Sequence, residues 1–296
     1  MSPRDAVRRR VLRAASLLAL CPPLPAVAQP EPDDWNHRTF VTSDGVHLHA
    51  IERFPRSAVA SRALTVLLVP GWCMPATVWR GQIEALGARW RTIALDPRGQ
   101  GESEIPAQGY DADRRGDDIA ELRNSLGRTV VVAWSLAALE ALQAVSRHGS
   151  DGIAGLVLVD SSVGEPPVPP PSTGFLQSLR SDRERTVNDF VHAVFGGQPE
   201  DELQEIVRLA LRMPLEASVS LLSDPRPREH WREIARGFDR PLAYLVSEQF
   251  RAQGESLVEA RPQTTFEVFE HSGHAIFADE PERFNTLLAS WIEGLG

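Results

Sequence analysis

A serine placed where a buried strand turns straight into a helix is the first feature of this sequence that could do chemistry: Val130-Val131-Val132-Ala133-Trp134-Ser135-Leu136-Ala137. Such an elbow lifts the hydroxyl above the sheet edge and aims the first amides of the helix at whatever the serine attacks. Strand and helix can approach only if small residues lie two before and two after the serine, and here Ala133 and Ala137 stand where glycine is usual. A second segment, Glu270-His271-Ser272-Gly273-His274, follows the last strand, where a histidine on a loop could reach the serine across the sheet edge. A serine hydroxyl is a poor nucleophile until an imidazole takes its proton, so the pair would form a nucleophile and its base. A third segment, Val69-Pro70-Gly71-Trp72-Cys73-Met74, follows the first buried strand, and its glycine turn can present the amide of Trp72 as one oxyanion donor beside the amide of Leu136. Taken alone, Ser135 reads equally well as a helix N-cap.

These residues must be held by a frame, and the hydrophobic pattern supplies one. Arg38 to Val41 and Val46 to Arg53 alternate and are joined through Asp44-Gly45, which reads as a hairpin. Leu64 to Val69, Thr92 to Leu95, Thr129 to Ala133 and Gly155 to Val159 are short apolar runs without a polar face, suited to a parallel sheet covered on both sides. Between them Thr77 to Arg89, Ala112 to Leu126 and Leu136 to His148 show helical spacing, the second with Asp113 and Asp117 near its start. The pattern stops at the proline-rich Glu165 to Pro171, continues as helical segments from Phe175 to Phe238, and resumes with strands Leu242 to Val246 and Thr265 to Glu270 and a helix from Glu282 to Gly294. The simplest architecture is one doubly wound α/β domain with a helical insertion.

In family order, Pro70-Gly71-Trp72 followed by Trp79-Arg80, Asp96-Pro97-Arg98-Gly99-Gln100-Gly101-Glu102-Ser103, Trp134-Ser135-Leu136, and Ser272-Gly273-His274 followed by Asp279-Glu280-Pro281-Glu282-Arg283-Phe284 resemble the α/β-hydrolase superfamily. The Gly-Trp opening and the Trp-Ser-Leu elbow look like its small, lidded serine carboxylesterases. The resemblance covers nearly all of the chain beyond residue 28. It implies an α/β-hydrolase fold, a mostly parallel doubly wound sheet with a helical lid at about 165–238. It further implies Ser135 as nucleophile, His274 as general base and then acid, and the backbone amides of Trp72 and Leu136 as the oxyanion hole. Phe175, Leu176, Phe190, Val194, Phe195, Leu211 and Met213 are the candidates for an apolar inner face of the lid, which would favour a substrate with an apolar part.

The third triad member departs from the family pattern. An aspartate is usual three residues beyond the strand Leu242 to Val246, but Ser247-Glu248-Gln249-Phe250 puts a phenylalanine there. Something else must orient the imidazole. Asp160, at the end of the strand Gly155 to Val159, is the leading candidate, and Glu248, in the usual loop but two positions early, is the second.

Other chemistry-bearing residues have plainer roles. His47 and His49 share one face of a strand, but no third ligand lies near them, and zinc needs three or four. His271 is set aside because the Ser-Gly-His pattern favours His274. Cys73 reads as a small buried residue, and Asp96, Arg98 and Ser103 as a set that holds a loop. Composition excludes more. All 31 basic residues are arginine, so lysine Schiff bases, P-loop lysines and Ser-Lys dyads are ruled out. A net charge of -9 argues against nucleic acid, and two cysteines are too few for a disulfide scaffold.

Residues 1–28 have the order of a signal peptide: Arg4, Arg8, Arg9, Arg10 and Arg13, an apolar Ala14 to Leu20, and Ala26-Val27-Ala28 at a cleavage site. The arginine pair followed by Val11-Leu12 also fits a twin-arginine signal. A lipobox ending at Cys21 would need a small residue where Leu20 stands, and the apolar run is far below the ~20 residues of a membrane span. The expectation is therefore an exported protein, periplasmic or secreted, that hydrolyses a small-molecule carboxylic ester or lactone through an acyl-enzyme. No cofactor, metal, nucleic acid or membrane span of the mature chain is implied, and the oligomeric state is open. A cofactor-free haloperoxidase-like or C–C bond hydrolase is the rival of the same fold. A catalytically silent binding protein is the rival of a different class.

Overall fold

In a computed structural model of the chain the described residues are 35–55, 64–169 and 174–295. The leader expected at residues 1–28 lies outside them, as does part of the proline stretch. Eight strands form one sheet: β1 (Trp35–Val41), β2 (His47–Arg53), β3 (Thr65–Val69), β4 (Arg91–Leu95), β5 (Thr129–Trp134), β6 (Ile153–Val159), β7 (Leu242–Ser247) and β8 (Thr265–Phe269). Their order across the sheet is β1-β2-β4-β3-β5-β6-β7-β8. β1 pairs antiparallel with β2 and β2 with β4, and every other pairing is parallel. The expected hairpin and the expected mostly parallel sheet are both present.

The absence of a polar face on the central strands has a direct structural meaning. Along β5, Val130, Val132 and Trp134 enter one apolar layer while Val131 and Ala133 enter the other. The alternation of side chains thus buries both faces, and helices must cover each. One layer receives α1 (Arg80–Gly87) and α11 (Pro281–Glu293); the other receives α2 (Ala112–Asn124), α3 (Leu136–His148) and α9 (Arg251–Ala260). The insertion between β6 and β7 is α4 (Phe175–Ser181), α5 (Arg183–Phe195), α6 (Glu200–Ala210), α7 (Leu215–Leu221) and α8 (Arg228–Gly237). A short α10 (Ile276–Asp279) precedes α11. No helix among the described residues is long and apolar enough to cross a membrane.

Three local expectations change. The helix read over Thr77 to Arg89 is a 3-10 turn, Ala76–Trp79, leading into α1. Positions three apart eclipse in that tighter winding, so Ala76 and Trp79 are buried together and Trp79 stacks on Phe277 at 4.0 Å. Asp113 does lie in the first turn of α2, behind an Asp111 cap whose side chain accepts from the Arg114 amide at 2.9 Å, but Asp117 reaches across to Arg147 and His148 of α3. Lastly, α9 has no counterpart in the sequence reading. Gly254 interrupts its helical signal, yet a Cβ there would stand 1.9 Å from the Phe266 ring, so the helix can pack on β8 only with glycine.

Candidate active site

Ser135 sits between β5 and α3 at φ 57 and ψ -124, a backbone conformation a non-glycine residue adopts only when its surroundings enforce it. The enforcement is visible. The Ser135 amide donates to Val159 O at 2.9 Å, and its carbonyl accepts from Ala138 at 3.0 Å. Ala133 and Ala137 are fully buried, so two methyl groups fit where glycines are usual. The glycine that closeness does demand is Gly71, where a Cβ would lie 2.9 Å from Ser135 Cβ and 3.2 Å from Trp134 O. The turn carrying Trp72 is therefore pressed directly against the serine.

His274 lies on the loop between β8 and α10. The loop is tied down by Gly273, whose amide donates to Asp279 at 2.8 Å, and by Ser272, whose hydroxyl donates to Glu280 at 2.7 Å. Trp134, next to the serine, donates from its indole to His274 O at 2.8 Å and places its ring 5.2 Å from the imidazole. The side chain of His274 then spans the gap, with Nε2 2.8 Å from Ser135 Oγ and Nδ1 2.7 Å from Asp160 Oδ2. With the serine hydroxyl donating to Nε2, the Nδ1 proton points at the carboxylate.

Asp160 follows β6 at φ 42 and is fully buried. Its amide donates to Leu245 O at 2.9 Å, and its second oxygen accepts from the Ser247 amide at 2.6 Å. Beneath it the Tyr244 hydroxyl donates to Ser161 O, and burial, reinforced by the charge of Asp160, pushes that phenol well above its ordinary pKa. Glu248 does not reach the histidine. It is exposed and accepts from Arg251, which holds its carboxyl below the usual glutamate range. Phe250 is buried in the layer shared with α9, so the side chain at the usual acid position faces the core.

The lid residues meet the site through aromatic contacts. Trp72 lies edge-on to Phe175 at 5.3 Å and to Phe190 at 5.6 Å, its indole donates to Ser218 O at 2.7 Å, and Trp134 meets Phe195 at 5.7 Å. All seven expected inner-face residues pack in or against this apolar layer. By contrast α8 turns Trp231 and Ala235 into the opposite layer, so the part of the insertion that shares the layer of Trp72 and Trp134 is α4 to α7. Cys73 is buried, 3.7 Å from Met213 Sδ, and burial pushes its thiol up to about 12, which leaves it protonated and unreactive.

The residues set aside have partners of their own. His47 contacts Glu104 at 3.0 Å, and His49 contacts Asp96 at 2.7 Å and His37 at 2.9 Å. Asp96 also accepts from the amides of Ala76 and Glu102, Ser103 donates to Asp96 O, and Arg98 is ion-paired with Asp118 and Asp44. Among the described residues no group of three or more His, Cys, Asp or Glu side chains is arranged to hold a metal ion.

The arrangement can deprotonate a serine and stabilise the cation that results. Known proteins share the frame. A pimeloyl-[acyl-carrier protein] methyl ester esterase of Vibrio atlanticus is 27% identical over 258 residues, covering 79% of this chain and 96% of that one. An esterase structure from Exiguobacterium antarcticum superposes with a TM-score of 0.74 at 20% identity, covering 87% of this chain and 100% of the other. A bromoperoxidase structure from Bacillus anthracis superposes with a TM-score of 0.75 at 18% identity, over 87% and 100%. Residues 66–287 match the sequence profile described as the Alpha/beta hydrolase family. With the α/β-hydrolase fold and that match together, the chain belongs to the alpha/beta hydrolase family.

Proposed function

We infer that this protein is an exported serine hydrolase that cleaves a carboxylic ester or lactone through an acyl-enzyme. One observation carries the reading: the unbroken hydrogen-bonded chain from buried Asp160 through His274 to Ser135 at a strained elbow. In the first step Ser135 Oγ attacks the carbonyl carbon while its proton passes to His274 Nε2, and Asp160 balances the imidazolium. The carbonyl oxygen gains negative charge beside the amides of Trp72 and Leu136. Collapse expels the alcohol, which takes the proton from His274, and water activated by the same imidazole then releases the acid.

The methyl ester named for the Vibrio relative and the aromatic lid wall of Phe175, Phe190 and Phe195 support an ester with an apolar part. A fluorophosphonate tests the reaction class. The expected result is a covalent adduct on Ser135 in the wild type, none in Ser135→Ala, and turnover of short p-nitrophenyl esters that the substitution abolishes. A folded wild type that takes no adduct and turns over no ester returns the chain to the binding-protein reading. Export is part of the proposal, and it is removed if cell fractionation finds the protein in the cytoplasm with residues 1–28 still attached.

A further inference from the structure

Gln100, in the loop after β4, reaches beneath the Gly71–Met74 turn and is fully buried. Its Nε2 donates to Gly71 O at 2.9 Å and to Met74 O at 2.8 Å, using both hydrogens of the amide. Its Oε1 accepts from Arg115 at 2.9 Å, so the amide can face only one way: flipped, it would set a carbonyl against two carbonyls.

The Gly71 carbonyl belongs to the same peptide unit as the Trp72 amide. In a trans peptide these two groups point in opposite directions, so anchoring the oxygen on Gln100 sets the direction of the Trp72 N–H. The turn's own backbone bond, from the Met74 amide to Gly71 O at 3.2 Å, closes it with Cys73 at φ 58, and the Gln100 bond to Met74 O grips its other end. Behind Gln100 the chain continues. Arg115 also donates to Arg98 O at 3.1 Å and is ion-paired with Glu140 at 3.0 Å. Glu140 belongs to α3, whose first amide is that of Leu136. All three side chains are buried, so no water competes for these bonds.

We propose that Gln100 is a positioning residue for the oxyanion hole, and that Gln100, Arg115 and Glu140 form one buried polar chain setting the turn that carries one donor and the helix that carries the other. This rests on the serine-hydrolase reading above. The test compares wild type, Gln100→Met and the milder Gln100→Asn, which keeps the donors on a shorter arm. Each is counted by fluorophosphonate titration of Ser135 and assayed on a p-nitrophenyl ester. Per titrated site, kcat should fall by about tenfold to a hundredfold in Gln100→Met and less in Gln100→Asn, with KM within about threefold, the cost of a misaligned catalytic group. Affinity for a trifluoromethyl ketone should fall by the same factor as kcat/KM, while affinity for the carboxylic acid product stays unchanged.

A merely structural role would lower the melting temperature and the titratable fraction but leave kcat per titrated site within about twofold of wild type. That result, in whichever variant folds, overturns the proposal. A wild type that fails to label at all is instead a failure of the serine-hydrolase reading.

Discussion

The ends of β6 and β7 lie side by side in the sheet, and each offers a carboxylate one residue beyond the strand, yet the two carboxylates live in opposite surroundings. Asp160 turns back over the sheet edge at φ 42, is sealed from water, and divides its two oxygens between the Ser247 amide and His274. Glu248 enters a 3-10 turn that carries it outward, where its side chain is 59% exposed and shared with Arg251. The residue type and the distance from the strand end hardly differ. Backbone direction and desolvation do, and these decide whether a carboxylate can hold an imidazolium or merely decorates a surface. The vacancy at Phe250 also belongs to this contrast: the β7 loop spends that position on the core, and β7 contributes to Asp160 through a backbone amide.

The strongest way to break the contrast is Asp160→Asn. Loss of the carboxylate should reduce kcat on an ester by about 10⁴-fold, because the imidazole loses both its orienting acceptor and its counter-charge. Steady-state kinetics check this, and a variant that keeps wild-type turnover while Glu248→Gln loses it inverts the assignment. Next is Ser247→Pro, which removes the amide that holds Asp160 Oδ1; Ser247 already has φ -74, which proline tolerates. Turnover should drop by up to about a hundredfold as the carboxylate loses its alignment, with the circular dichroism spectrum unchanged. Phe250→Ala should cost about 3–5 kcal/mol in urea denaturation while activity per folded molecule stays near wild type, since that ring packs in the core. If activity collapses while stability holds, position 250 faces the site after all.

The smallest effect is expected from Glu248→Gln, with kcat within about twofold, as for other exposed ion pairs. Its pH signature follows from the carboxyl being held below the usual range by Arg251. Such a pair contributes above the ordinary glutamate pKa and fades as pH falls through the lowered folded value. Melting curves of wild type and variant should therefore differ slightly at neutral pH and converge in acid. Divergence in acid would mean that Glu248 has another partner.

Much of the frame is readable from local pattern because its causes are local. Strands without a polar face can only be interior, and the Ala133-Trp134-Ser135-Leu136-Ala137 elbow, the Gly71 turn and the Ser272-Gly273-His274 loop carry their geometry in nearby residues. What escapes that reading depends on distant neighbours. Gly254 looks like a helix breaker until Phe266 is seen against it, and Asp117 looks like a helix-start charge until Arg147 and His148 arrive from α3. Gln100 is one polar residue in a loop motif until the Gly71 and Met74 carbonyls stand over it. Trp134 reads as the first residue of the Trp-Ser-Leu elbow, and nothing local tells that its indole holds the His274 backbone.

The sequence by itself determined the fold class, the serine and histidine candidates, and the exclusion of lysine chemistry, because strand patterning, an elbow motif and residue type each act over a few positions. Only the tertiary structure shows which of Asp160 and Glu248 lies against His274. That choice rests on which side chain is desolvated and on which amide from a neighbouring strand meets it, and both arise only when β6, β7 and the His274 loop converge.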